Sequence, residues 1–336
     1  MRRPLATLAA IAAAALLTAC GSSSSSSSTH GARGGHAAPQ SASLVLDYTP
    51  NAIHVGIYTA LARHLDSAHG LALHVIVPGA STDAISELET GKVDFAILDI
   101  HDLAIARAKG VAIRGILPIV EEPLAAVLTA SSVASPRQLA GQTVGVSGDP
   151  SDFAVLRSIV AGAGGSAAAV KTLDIGFNNV ADLLSGRIKA ATGFWNDEGV
   201  TLQRRKPGAF HVFRVQDYGA PSYPELVVAA STHLLDTDPG LARRLVATLE
   251  AGYGYAIAHP AAGAKDLEAG VQGLDPSLVS AELPGEVKAF TGPEGRFGVL
   301  DRPLLARWAK WEKRFGIVRT TPDVATMFDF AFAPKG

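Results

Sequence analysis

The chain has 336 residues, 48% hydrophobic and 18% charged, with 29 basic and 31 acidic side chains and a formal net charge of −2. That length holds two lobes with separate cores, and charges mixed along the chain without a basic stripe exclude nucleic acid as a partner. Its one cysteine, Cys20, stands near the start, so the rest of the chain has no disulfide, thiolate nucleophile or cysteine metal site.

Residues 1–20 read "MRRPLATLAAIAAAALLTAC": two arginines, an apolar stretch too short for a comfortable membrane span, then small residues. That order is a secretory signal. Leu17-Thr18-Ala19-Cys20 matches the bacterial lipobox, which predicts cleavage before Cys20 and a lipid attached to it. Residues 21–42 are rich in serine and glycine and cannot build a core, so they read as a flexible tether. The body is expected to start near Ser43, outside the cytoplasmic membrane and anchored to it by the lipid.

In the body, strand and helix patterns alternate. "SLVLDY" from Ser43 is a strand, and His54 to His69 has near-helical apolar spacing ending at Gly70, a C-cap position. "LALHVIVPG" alternates as a strand, "STDAISELETG" is a short helix, "VDFAILD" a strand, "HDLAIARAKG" a helix and "VAIRGILPIV" a strand. This order predicts a largely parallel sheet covered by helices. A second unit follows, with strands at "TVGVS", "VKTLDIG", "IKAATGFWN" and "AFHVFRV" and helices between them. A helix then opens at Asp238-Pro239, with proline in its first turn. In a final helix from about Asp301 to Phe315, the spacing of Leu304, Trp308 and Trp311 points to core packing. The expected organisation is residues 43–127 as the first part of lobe one, 128–227 as lobe two, and 228–330 returning to lobe one. The crossings are placed near Glu122–Thr129 and Glu225–Ser231. A hinge of two segments lets lobes close on a ligand while each core stays intact.

Enzyme signatures fail. "GVSGD" is not a nucleophile elbow, "AGAGGS" is not a phosphate loop, and the ten histidines are scattered without H-E-x-x-H, so neither metal nor cofactor is expected. What remains is polar and aromatic residues at the carboxyl ends of strands, where open α/β sheets bind ligands. The first strand delivers Tyr48, Asn51 and His54, the second Ser81, and the third Asp99. The second unit delivers Ser147, Gly148 and then Trp195, Asn196 and Glu198 in "GFWNDEG". A flat heteroaromatic ligand needs such parts: Tyr48 and Trp195 to stack on its faces, and Asn51, Asp99 or Glu198 to bond ring nitrogens and amino groups. Each has a plainer reading. Tyr48 caps a strand, His54 bonds backbone, Asp99 caps the next helix, and Trp195 fills a core. Tyr223, beside the second crossing, lines the cleft or pins the hinge.

"LDYTPNAIHVGIY" resembles the LDW-x-PN-x-x-H-x-G-x-Y opening of the NMT1/THI5-like family, and "GFWNDEG" its (Y/F)WN-x-EG segment. "YPELVVAAS" and "LAGQTVGVSGDPSD" resemble its crossing and its second-lobe opening. The likeness runs in matching order from about Leu44 to Phe315. It implies an α/β, bilobed type II periplasmic-binding-protein fold, with two parallel-rich sheets joined by a two-segment hinge. Most bacterial members look like substrate-binding lipoproteins of ABC importers, some for pyrimidine precursors of thiamine such as hydroxymethylpyrimidine or formylaminopyrimidine. The resemblance puts Tyr48 where the family has a tryptophan that stacks on the pyrimidine, and the "LDIHDL" stretch from Leu98 departs from the tyrosine-bearing segment of pyrimidine binders. A flavin or another small heterocycle is therefore an alternative ligand. The implied partners are that ligand, a permease and its ATPase, with the chain acting as a monomer; a surface signalling receptor is a non-catalytic alternative. Eukaryotic pyrimidine synthases of the family consume their own histidine and carry a cysteine-rich motif that is missing here, so an enzyme is not expected.

Overall fold

The structure is a computed structural model that describes residues 38–79, 84–149, 151–292 and 295–335. The signal and lipid-attachment readings at residues 1–20, most of the tether, and Ser81 lie outside the described residues.

Ten strands form two sheets. They are β1 Gln40–Val45, β2 Leu71–Ile76, β3 Phe95–Asp99, β4 Ile113–Val120 and β5 Ala125–Ala130. Then come β6 Thr143–Val146, β7 Lys171–Asp174, β8 Ala190–Phe194, β9 Phe210–Arg214 and β10 Leu226–Ser231. The first sheet has the order β2-β1-β3-β10-β4 and the second β7-β6-β8-β5-β9. In each, four strands share one direction and one runs against them: β10 pairs antiparallel with β3 and β4, and β5 with β8 and β9. Those two reversed strands are the ones that follow the crossings. The chain changes sheet within residues 121–124 and returns within 219–225. Both switches come a few residues before the expected crossings, because Thr129 already sits in β5 and residues 226–231 are β10 itself.

Central strands are apolar on both faces, as helix-covered sheets require. Every residue of β10 but the last is buried, as is every residue of β3 but Asp99. The body begins earlier than Ser43. Gln40 is the first residue of β1, its N–H bonds the Gly70 carbonyl at 2.9 Å, and its amide donates to Asp238 at 2.6 Å. The last residues of the expected tether are therefore sheet.

The helical pattern after the first strand is a 3-10 turn Ala52–His54, a helix Val55–Ala62 and a short helix Leu65–Ala68. His64, at a φ of 55°, breaks the two helices apart. Helix Val55–Ala62 lies against the long helix Pro239–Ala258 with no room for side chains between. A Cβ on Gly252 would stand 2.2 Å from the Gly56 carbonyl oxygen, so only glycine fits there. This packing fixes the turn at residues 47–54 to the core. The helices open where expected, and Asp238 and Asp301 cap them, each accepting an N–H three residues on. Trp308 and Trp311 are buried in the core. A helix Pro276–Ala289, with Pro284 inside it, was not legible in the sequence. Among the described residues, no helix is long and apolar enough to cross a membrane.

Candidate ligand-binding cleft

A cavity of about 350 Å³ opens where the carboxyl ends of β1, β2 and β3 face those of β6 and β8. Both sheets contribute to its wall, so a ligand there touches both lobes.

The first wall is the turn after β1. Asn51 caps the following turn, its Oδ1 accepting the Ile53 N–H at 2.9 Å. Its Nδ2 donates across the cleft to Asp197 Oδ2 at 2.7 Å. His54 is fully buried, outside the cavity lining. Its Nδ1 accepts the Asn51 N–H at 3.1 Å, which leaves Nε2 to donate to Asp47 at 3.0 Å. The imidazole thus holds Asp47 and Asn51 in place, which is the backbone-bonded reading of this residue. Tyr48 lines the cavity and meets Phe177 edge-on, with centroids 4.6 Å apart. Burial, with Glu198 and Asp197 nearby, pushes the Tyr48 phenol up, so it stays neutral.

The second wall is the segment that ends β8. Glu198 lines the cavity, its carboxylate oxygens accepting from Asn179 Nδ2 at 2.8 Å and from the Phe194 N–H at 2.9 Å. Burial, reinforced by Asp197, pushes the Glu198 carboxyl up to about 7. Trp195 and Asn196 point elsewhere. The Trp195 indole donates to the Pro123 carbonyl at 3.0 Å under the Arg214 guanidinium, 3.8 Å from its ring centre. Trp195 therefore braces the first crossing and does not stack in the cavity. Asn196 donates to Glu286 at 2.5 Å, behind the cavity wall. Phe194 and Asp197, inside the same motif but not singled out from the sequence, face the cavity beside Glu198.

The floor centres on Asp99, which lines the cavity and accepts the His101 N–H at 2.7 Å. Behind it, His101 is wholly buried, with Nδ1 on Glu312 and Nε2 on the Tyr223 hydroxyl at 3.0 Å. Burial alone would lower His101, but Glu312, Asp99 and Glu225 together raise it to about 10. Glu225 in turn accepts the Leu124 and Ala125 N–H groups, the latter at 2.9 Å. This cluster ties the two crossings together. Tyr223 belongs to it and is fully buried outside the lining, so it pins the hinge. Asp99, His101 and Glu225 bring ligand atoms within 4.8 Å of one another, but both ring nitrogens of His101 are engaged by protein.

Ser147 and Gly148 line the cavity at the end of β6. Their donors turn inward: Ser147 N–H and Oγ each reach Asp152 at 2.7 Å, and Gly148 N–H reaches it at 3.1 Å. Asp102, missed in the sequence, accepts the Ser151 N–H from the opposite lobe at 3.0 Å and is pushed by burial up to about 8. Phe177 and Asn179 were also missed. They follow β7, and nothing local marks them as facing Tyr48 and Glu198.

Set beside known proteins, residues 51–263 match the model of the NMT1/THI5-like family. A formylaminopyrimidine-binding protein of Halalkalibacterium halodurans is 29% identical over 66% of this chain and 68% of that one. A riboflavin-binding protein of Chloroflexus aurantiacus is 25% identical over 88% of this chain and 87% of that one. In structure, an alkanesulfonate-binding protein of Xanthomonas axonopodis pv. citri superposes with a TM-score of 0.69 at 16% identity, covering 88% and 99% of the two chains. A desulfurization enzyme shares the fold more distantly, with a TM-score of 0.55 at 15% identity over 87% and 97%. Likeness at these identities shows the periplasmic-binding-protein fold alone.

Proposed function

The chain belongs to the NMT1/THI5-like family, and from that membership we propose that it is an extracytoplasmic solute-binding protein of an ABC importer. It captures a small heteroaromatic metabolite between its lobes and presents the closed form to a permease and its ATPase. The observation that carries this reading is the cleft itself. It is walled by both sheets, floored by the cluster that ties the two crossings, and bridged by the Asn51–Asp197 bond. Closure around such a site couples ligand contact to lobe position, and its work is binding free energy rather than bond chemistry. No catalysis is assigned: the buried histidines His54 and His101 are spent on Asp47 and on Glu312 and Tyr223.

A thiamine-pyrimidine precursor, such as hydroxymethylpyrimidine or formylaminopyrimidine, is the favoured ligand. The Halalkalibacterium relative's name supports it, as does a cavity of about 350 Å³, at the small end of ligand pockets. Tyr48 with Phe177, and the carboxyl groups of Glu198 and Asp197, are the proposed ring and amino-group contacts. The second reading, a flavin, is favoured by the Chloroflexus relative, whose match covers more of the chain. The same proposal places a lipid on Cys20 and the body, as a monomer, on the outer face of the cell membrane. Calorimetry and thermal unfolding with pyrimidines and flavins test it. The correct ligand stabilises the protein by about 2.7 kcal/mol at a hundredfold excess over Kd, and a panel that shifts nothing overturns the ligand class.

A further inference from the structure

Eight of the described residues lining the cavity are aspartate or glutamate, and none is lysine, arginine or histidine. In a chain whose charges nearly balance, that is a concentration of one sign at one place. Some of it is compensated from outside the cavity: Asp99 by His101 behind it, and Glu87 by Lys92. Asp47, Asp102, Asp197 and Glu198 are instead held by side-chain and backbone N–H donors. A second feature points the same way. The loop after β6 leads into helix Asp152–Gly162, and N–H groups at such a place ordinarily receive an anion. Here Asp152 from the chain itself takes the Ser147 and Gly148 donors. The position where an anion would dock is already filled by a carboxylate.

We propose that the cleft selects a cation: a planar heteroaromatic ring carrying a protonated amino group, in preference to neutral and anionic relatives of the same ring. The ring lies beside Tyr48 and Phe177, and the ammonium meets the carboxyl groups of Glu198 and Asp197. This rests on the solute-binding reading above and, within the pyrimidine class, moves the preference from the hydroxymethyl and N-formyl compounds to the aminomethyl cation. It has a pH signature. Burial raises Glu198 to about 7 and Asp102 to about 8, and raises Asp99 and Asp197 as well. The groups facing Asp197 and Glu198 are Asp47, His54 and Tyr48 from the first turn and Glu282 and Glu286 from helix Pro276–Ala289. Those facing Asp99 and Asp102 are His101, Glu225, Asp149 and Asp152. An ammonium favours the ionised carboxyl, so binding expels a proton, and affinity rises as pH rises toward the carboxyl's own value.

The test is calorimetry on the folded chain with four probes: an aminopyrimidine bearing a free aminomethyl group, its N-formyl derivative, the hydroxymethyl analogue, and the phosphate ester of that analogue. The aminomethyl compound is expected to bind at least about tenfold tighter than the N-formyl one. Its Kd should fall by up to about tenfold from pH 6 to 7, and two buffers of different ionisation enthalpy should report about one proton released. Glu198→Gln should erase the preference for the aminomethyl compound and the pH slope; the buffer comparison on the unaltered chain needs no variant. Equal or tighter binding of a neutral probe without proton release, or tightest binding of the phosphate ester, overturns the inference and leaves the solute-binding reading standing. No binding by any probe, with flavins also silent, overturns both.

Discussion

Two groups of buried carboxyls sit on opposite sides of the cleft, and the protein keeps them by different means. Beneath the floor, Glu225 and Glu312 surround His101, whose raised affinity for its proton makes it a cation in their midst. Along the seam where helix Pro276–Ala289 meets the second lobe, Asp197, Glu282 and Glu286 have amides and backbone for partners. Asn51 bonds Asp197, Asn196 bonds Glu286, and the Ala52 N–H reaches Glu282. Asp197 stands close enough to Glu282 to raise its affinity for a proton further. Burial pushes Glu282 up to about 9 and Glu286 up to about 8. The floor is an ion cluster, whereas the seam holds Glu282 and Glu286 as neutral acids. A buried carboxyl is tolerated either beside a fixed positive charge or as the acid form.

The sharpest way to break this contrast is His101→Ala. It leaves Glu312 and Glu225 buried without their cation, and removing one partner of such a cluster costs about 3–5 kcal/mol. Urea unfolding at pH 7 measures it. A loss under about 1 kcal/mol would mean that the floor acids simply take up protons, as the seam acids do.

Next in size is a pH effect at the seam. Glu286 holds its proton up to about 8 when folded, against an ordinary value of 4.5, so the folded state binds more protons between those values. The stability it contributes is complete below about pH 4.5 and is lost as pH rises through about 8. Glu286→Gln mimics the protonated acid, keeps an acceptor for Asn196 and has nothing to lose. Unfolding free energy should match the parent at pH 4.5 and exceed it by about 1–3 kcal/mol at pH 8. If parent and variant keep a constant difference across that range, Glu286 does not titrate there.

Local chemistry made much of the fold legible: helix caps at Asp238 and Asp301, the apolar runs of β3 and β10, and the buried face of the last helix. Sequence also marked the turn after β1 and the segment after β8 as rich in polar and aromatic groups. It could not say which way each side chain faces. Trp195 was a stacking candidate and Tyr223 a candidate for the cleft or the hinge, yet both brace the crossings, because their orientation depends on long-range partners at Pro123 and His101. The seam was invisible for a similar reason. Pro284 blurs the pattern of its helix, and the carboxyls on it meet Asn51 and Asn196 from far along the chain.

The smallest expected effect is also the most discriminating. Asn51 has two jobs: its Oδ1 caps the turn, and its Nδ2 crosses to Asp197. Asn51→Ser keeps a good cap but is too short to reach the other lobe, so it isolates the cross-lobe bond. A hydrogen bond between neutral groups is worth about 0.5–1.5 kcal/mol, and one to a charged group about 1.5–3 kcal/mol. If Asp197 is neutral like Glu282 and Glu286, the loss in urea unfolding should fall in the lower range and shrink little with added salt. A loss above about 2 kcal/mol that salt reduces would make Asp197 an isolated carboxylate. The seam would then be a second ion cluster lacking its cation, and the contrast with the floor would fail.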